Sequence, residues 1–202
     1  VFRLEDHLRR FATSAKSIAL ELPGGIGAVR EIVLETARAF GADEAYVRLI
    51  ATRGDGPLGI DPTQCLEPRL ICIVDRIAVY PESKRSAGID LLTSSWRRPS
   101  SDVLDPRVKS LNYLNNILAK IEALDVNVPE AVMYNHQGYV AEATGDNVFI
   151  VRNGVIYTPP VEAGALEGIT RNLVIELAKK ENLKVVEKNL TRFELYVCEA
   201  FY

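Results

Sequence analysis

Apolar residues recur at helical intervals through the first forty positions of the chain. This spacing predicts an amphipathic helix over 3–20, a break at Pro23-Gly24-Gly25 and a second helix over about 27–39. Gly41 is placed to cap the C-terminus of that second helix. The chain therefore opens with a helical pair.

The pattern then changes to the short apolar runs that are typical of strands. It predicts a strand over 45–53, a loop rich in Gly, Pro and Asp over 54–62, and a buried strand over Leu70–Val74. A polar stretch follows and indicates a linker. We place a small α/β domain at 1–78, the linker at 79–87 and a larger domain at 88–202.

The second unit continues the mixed α/β pattern with strands and helices in alternation. A strand is predicted at 89–95, a loop rich in Pro and Asp at 98–106, and a helix over about 109–124 with apolar residues along one face. A further helix is predicted over about 170–181, and a strand begins at Lys184–Val186.

Turn residues mark two antiparallel hairpins between these helices. One turn is predicted at Asn135–Gly138 and the other at Asn153-Gly154, a strong two-residue hairpin signal. Thr191 and Glu194 offer a capping box for a further helix. The sequence begins at the edge of a helix and stops within an apolar strand, whose neighbours would be left with unpaired backbone groups. We therefore expect that segments which complete the domains are missing from both ends of this chain.

Composition narrows the class of protein. The formal net charge of −3 gives no electrostatic reason to expect a nucleic-acid or membrane-surface partner. No apolar run reaches the roughly 20 residues of a membrane span, and an odd count of 3 cysteines favours a reducing, cytoplasmic compartment. With 2 histidines, neither at ligand spacing, a zinc site or a Ser-His-Asp triad is not expected.

Three stretches carry residues suited to cofactor chemistry, although each also fits an ordinary structural interpretation. Lys109 and Tyr113 stand one helical turn apart, as a nucleophilic amine and its neighbour or as a solvated pair. Glu142 lies in a strand, where it either needs a cationic partner or faces water. Gly168–Arg171 forms the start of a helix, and this start is either a phosphate-binding site or an ordinary Thr N-cap.

These stretches occur in a specific order. KSLNY, EATGDN and TPP…LEGITR together resemble the signature of the class IV (fold type IV) pyridoxal-5′-phosphate enzymes, and the similarity runs from FRLEDHLRRF to CEAFY. That family includes branched-chain aminotransferases, D-amino-acid aminotransferases and 4-amino-4-deoxychorismate lyases. The resemblance implies a two-domain α/β architecture and pyridoxal 5′-phosphate as cofactor.

The resemblance also implies a role for individual residues. Lys109 matches the Schiff-base lysine that shuttles the proton, Glu142 the carboxylate that keeps the pyridine nitrogen protonated, and Tyr113 the phenol on the 3′-oxygen. The other cofactor contacts that it implies are Arg10 on the phosphate, Leu166 against the ring, and Ile169 and Thr170 in the phosphate cup.

Matches on the substrate side favour the branched-chain branch. Tyr46 and Arg48 resemble a Y-x-R pair that receives the substrate carboxylate, and Tyr80 matches an interdomain-loop tyrosine. Leu58 and Ile60 resemble apolar walls on a loop that reaches into the neighbouring subunit of a homodimer or larger oligomer.

The expected reaction is ping-pong transamination between branched-chain L-amino acids and 2-oxoglutarate. Two alternatives stay open within the fold, namely a D-amino-acid aminotransferase and an aminodeoxychorismate lyase-like enzyme. An alternative of another class is a catalytically inactive fragment of such a protein.

Overall fold

A computed structural model describes residues 1–76 and 87–202 of the chain. The chain divides into two compact units, Val1–Glu82 and Ser83–Tyr202. Both combine helices with strands, which confirms the mixed α/β class predicted from the sequence. Tyr80 and most of the predicted linker lie outside the described residues.

The first unit consists of two helices and an antiparallel pair of strands. The elements are α1 (Leu4–Ser17), α2 (Gly25–Phe40), β1 (Tyr46–Thr52) and β2 (Arg69–Asp75), and all four were predicted. Helix α2 packs against α1 and against β2. Gly41 caps α2 at a φ of 67°, a left-handed conformation that glycine adopts without steric cost.

The prediction of a buried strand over Leu70–Val74 is wrong. Burial alternates along β2, and Ile71 and Ile73 are 46% and 47% exposed. An apolar run places side chains on both faces of a strand. In the first unit helix α2 covers only one of the faces of this two-stranded sheet.

The second unit opens with a three-stranded sheet in the order β3-β4-β5. Its elements are β3 (Leu91–Arg97), α3 (Ser101–Leu104), α4 (Leu114–Leu124), β4 (Glu130–Tyr134) and β5 (Val140–Ala143). Strands β3 and β4 are parallel, so the chain needs a crossover, and α4 supplies it by packing on both strands. Strand β5 returns antiparallel through the predicted turn at residues 135–138.

A four-stranded sheet in the order β8-β7-β6-β9 completes the second unit. Its elements, with the helices between them, are β6 (Ile150–Arg152), β7 (Val155–Thr158), α5 (Ile169–Lys180), β8 (Val185–Glu187), α6 (Arg192–Tyr196) and β9 (Ala200–Phe201). The Asn153-Gly154 hairpin and the Thr191–Glu194 capping box are both confirmed. No helix in the described ranges is long and apolar enough to cross a membrane.

The helix predicted from about residue 109 begins later, at Leu114. The preceding backbone is held in short turns, in which the Ser110 N–H donates to the Val108 carbonyl at 2.8 Å. The Ser110 hydroxyl accepts from the Asn112 N–H at 3.2 Å, a local bond that competes with helix formation. The loop predicted at 98–106 likewise contains the short helix α3. Lys109 therefore lies in a loop.

Candidate active site

A cleft in the second unit brings together four residues that the sequence singled out. Lys109, Tyr113, Glu142 and Leu166 all line it. They come from the loop before α4, from β5 and from the segment before α5. A further lining residue, Arg98, follows directly after β3 and was not predicted.

Lys109 and Tyr113 form the outer part of the cleft. The Lys109 Nζ donates a hydrogen bond to the Tyr113 hydroxyl at 3.2 Å, and it lies 5.9 Å from the centre of the phenol ring. The sequence had indicated that the four-residue spacing would bring these two side chains together along a helix. They do meet, but in a loop. Both side chains are exposed, so a molecule that enters the cleft can reach the amine.

Glu142 is the buried acid of the cleft. Its side chain is 7% exposed, its Oε1 accepts from the Arg98 Nη2 at 2.8 Å, and its Oε2 accepts from the Leu166 N–H at 2.8 Å. Burial raises the pKa of Glu142, while Arg98, then the Leu166 N–H and Lys109, oppose that rise. The interpretation of Glu142 as a water-facing residue is therefore wrong.

Arg98 is the functional candidate that sequence reasoning missed. It stands 44 positions before Glu142, and no local spacing connects the two. The Trp96-Arg97-Arg98-Pro99 stretch contains two adjacent arginines and does not indicate which of them is buried. The available signal was the buried carboxylate itself, because such a group needs a cationic partner.

The start of helix α5 is connected to the cleft through Asn147. Its Nδ2 donates to the Leu166 carbonyl at 2.9 Å, and its Oδ1 would lie 2.0 Å from a Cβ added at Gly168. Gly168 is the N-cap of α5, so the interpretation of Thr170 as an ordinary N-cap is wrong. Ile169 and Thr170 stand in the first turn, where backbone N–H groups favour anions.

The remaining predicted site residues belong to the first unit and are described within it. Arg10 is half-buried in α1, and Tyr46 and Arg48 are exposed two positions apart on one face of β1. Leu58 and Ile60 are fully exposed on the 54–62 loop, at 105% and 102%.

The chain belongs to the class IV amino-transferase family, whose profile matches residues 1–202. A Methanocaldococcus jannaschii protein, provisionally named a branched-chain-amino-acid aminotransferase, is 46% identical over 100% of this chain and 69% of its own length. The branched-chain-amino-acid aminotransferase of Pseudomonas aeruginosa is 35% identical over 100% of this chain and 66% of its own length.

Solved structures confirm the fold type IV architecture. The branched-chain aminotransferase of Thermoproteus uzoniensis, solved with norvaline, superposes with a TM-score of 0.92 at 37% identity, over 99% of this chain and 67% of that one. The T.th. branched-chain enzyme complexed with N-(5′-phosphopyridoxyl)-L-glutamate gives 0.91 at 36% identity, over 99% and 65%. The chain thus spans about two thirds of the length of these relatives.

Proposed function

We propose that the protein is a pyridoxal-phosphate-dependent aminotransferase that transfers amino groups between branched-chain L-amino acids and 2-oxoglutarate. The observation that carries this proposal is the cleft in which Lys109, Tyr113 and the buried Glu142 meet. The odd cysteine count favours a reducing compartment, and this supports a cytoplasmic location.

The residues of the cleft fit this cofactor. A reachable lysine amine suits its aldehyde, and a buried carboxylate suits its protonated ring nitrogen. Leu166 offers an apolar side chain for the ring, and the first turn of α5, with Ile169 and Thr170, suits the phosphate. When bound, the cofactor supplies an electron sink for the carbon that loses a proton.

The side chains of the cleft have distinct proposed tasks. Lys109 would hold the cofactor through its Nζ and, once the substrate amine had displaced it, would move a proton at the substrate Cα as general base and general acid. Tyr113, whose hydroxyl accepts from the lysine Nζ at 3.2 Å, would orient that amine and donate a hydrogen bond to the cofactor's 3′-oxygen. Glu142 would keep the ring nitrogen charged. Arg10 is assigned to the phosphate by its place in the family pattern.

Covalent attachment at Lys109 is the direct test of this function. Borohydride reduction of the intact protein loaded with pyridoxal phosphate should label Lys109, because it is the only lysine that lines the cleft in the described part of the chain. Peptide mapping reads out the position. Lys180, exposed on α5, serves as the unlabelled control. A label on another lysine with Lys109 clean would refute the assignment.

The substrate assignment rests on the relatives and on Tyr46 and Arg48. The four relatives above all carry branched-chain names, and one of the solved structures contains norvaline, an amino acid with an unbranched apolar side chain. The D-amino-acid and lyase alternatives of the same fold are tested by comparing L-leucine with D-alanine as amino donor. An intact protein that shows no absorbance of a lysine-bound cofactor would favour the inactive alternative.

The 54–62 loop predicts a homodimer or larger oligomer. Leu58 and Ile60 are fully exposed, and burying each side chain would contribute about 1.5–3 kcal/mol. In a two-fold dimer each loop can cover the partner's site and be covered by it. We expect the intact holoprotein to sediment as a dimer or larger, and the paired Leu58→Ala and Ile60→Ala substitutions to weaken both self-association and substrate binding.

The matched control for this loop is Leu66→Ala. Leu66 is 82% exposed but lies outside the 54–62 loop, so its truncation tests for a general loss of apolar surface. An active holoprotein that sediments as a monomer at all concentrations would contradict the prediction.

A further inference from the structure

Arg98 is the centre of a buried polar network that includes the acid of the cleft. The residue is 8% exposed, and each of the three nitrogens of its guanidinium donates a hydrogen bond. The Nη2 donates to Glu142 Oε1 at 2.8 Å, the Nε to the Gly164 carbonyl at 3.1 Å, and the Nη1 to Asn116 Oδ1 at 2.7 Å. A planar fork with this many fixed partners has little rotational freedom.

The partners of Arg98 are themselves fixed. The Asn116 Nδ2 donates to the Thr144 carbonyl at 2.7 Å, which connects α4 to the end of β5. Gly164 adopts a φ of 106°, and a Cβ there would approach the Arg98 Cβ to 3.3 Å. A side chain at position 164 would therefore be strained and crowded. The network holds the guanidinium in one place relative to the Glu142 carboxylate.

We propose that Arg98 is the positioning residue that keeps the Glu142 carboxylate charged and oriented for the cofactor's ring nitrogen. This inference rests on the proposed function. It adds to that function the residue that keeps Glu142 ionised. Without a cation, a carboxyl group that is 7% exposed takes up a proton to avoid a buried charge. A neutral carboxyl group cannot stabilise a protonated ring nitrogen.

Two opposing effects of Arg98 on the ring nitrogen must be compared. The guanidinium attracts the carboxylate at 2.8 Å and repels a pyridinium. A pyridinium cannot occupy the volume of the guanidinium, so one that pairs with Glu142 lies farther from Arg98 than the carboxylate does. Since the Coulomb energy falls with distance, the attraction is larger and the charged pair is favoured. Arg98 therefore supports protonation of the nitrogen through Glu142.

The first test measures the ring nitrogen directly and does not depend on turnover. The intact protein is loaded with pyridoxal phosphate that carries 15N in the ring, and the 15N chemical shift reports protonation. We expect a protonated nitrogen in the wild type at neutral pH, its loss in Arg98→Gln, and its retention in Arg98→Lys. The control is Arg97→Gln, since Arg97 is the adjacent, exposed arginine and should leave the shift unchanged.

Kinetics supply a second readout. In Arg98→Gln we expect kcat to fall roughly 10- to 100-fold, by analogy with the loss of a residue that orients a metal ligand, with little change in cofactor loading. A purely structural role would lower loading and the amount of folded protein and leave the nitrogen of the loaded fraction protonated. A protonated nitrogen in loaded Arg98→Gln would overturn the proposal.

A third measurement uses the protein before it binds the cofactor, so its outcome does not depend on the proposed function. The 13C carboxyl signal of Glu142, assigned by its loss in Glu142→Gln, should show an ionised carboxylate at neutral pH in the wild type. A neutral Glu142 there would overturn the inference even if Arg98→Gln fails to fold. Absence of covalent cofactor on wild-type Lys109 would instead refute the proposed function.

Discussion

Lys109→Ala is expected to lower kcat by roughly 10²–10⁴-fold, the range for losing a positioned acid or base. The physical reason is that Lys109 is the only lysine lining the cleft in the described residues, so no second amine can replace it. Cofactor retention should also fall, because the covalent attachment is lost. Steady-state kinetics and absorbance of the dialysed holoprotein measure the two effects.

Two further variants set the scale for that loss. Tyr113→Phe removes the 3.2 Å hydrogen bond to the Lys109 Nζ, and such a bond contributes about 0.5–1.5 kcal/mol, so its effect should be much smaller. Lys180→Ala alters an exposed pair on α5 and should leave kcat unchanged. Added primary amines should partly restore Lys109→Ala. Retention of activity within tenfold would exclude Lys109 as the acid and base.

The fold was predictable where the signal is local. The Asn153-Gly154 hairpin and the Thr191–Glu194 capping box depend on residues next to each other, and the structure has both. The predicted start of helix α4 was too early. The apolar spacing continues back to Leu111, but the backbone N–H groups there form local hydrogen bonds. Apolar periodicity identifies a helix better than it identifies the helix end.

The site was predictable only in part, because burial and partner choice are tertiary properties. The sequence indicated that Glu142 needs a cation, and it offered the cofactor as that cation. The structure shows that Arg98, from another strand end, already supplies a positive charge at 2.8 Å. Likewise, the apolar run of β2 could not show that one of its faces remains exposed within its unit.

Arg48→Ala is expected to weaken binding of amino-acid and 2-oxo-acid substrates by about 2–5 kcal/mol, or roughly 30- to 5,000-fold, the range for truncating one partner of a charge pair that the bound substrate buries. Arg48 is exposed on β1 beside Tyr46, two positions away on the same face. No ion pair with a described residue occupies its guanidinium. The fork of donors is therefore available for a substrate carboxylate, which it can bind with two parallel hydrogen bonds.

The discriminating comparison is between substrate and cofactor affinity. Since Arg48 is assigned to the substrate carboxylate and not to the phosphate, KM for L-leucine and 2-oxoglutarate should rise while the Kd for pyridoxal phosphate stays within about twofold, well below the 1.4 kcal/mol of a tenfold change. Arg38→Ala, an exposed arginine on α2, is the matched control and should change neither. Equal losses of substrate and cofactor binding would exclude the carboxylate role. An intact protein that prefers D-alanine to L-leucine or L-isoleucine would show that the branched-chain assignment itself is wrong.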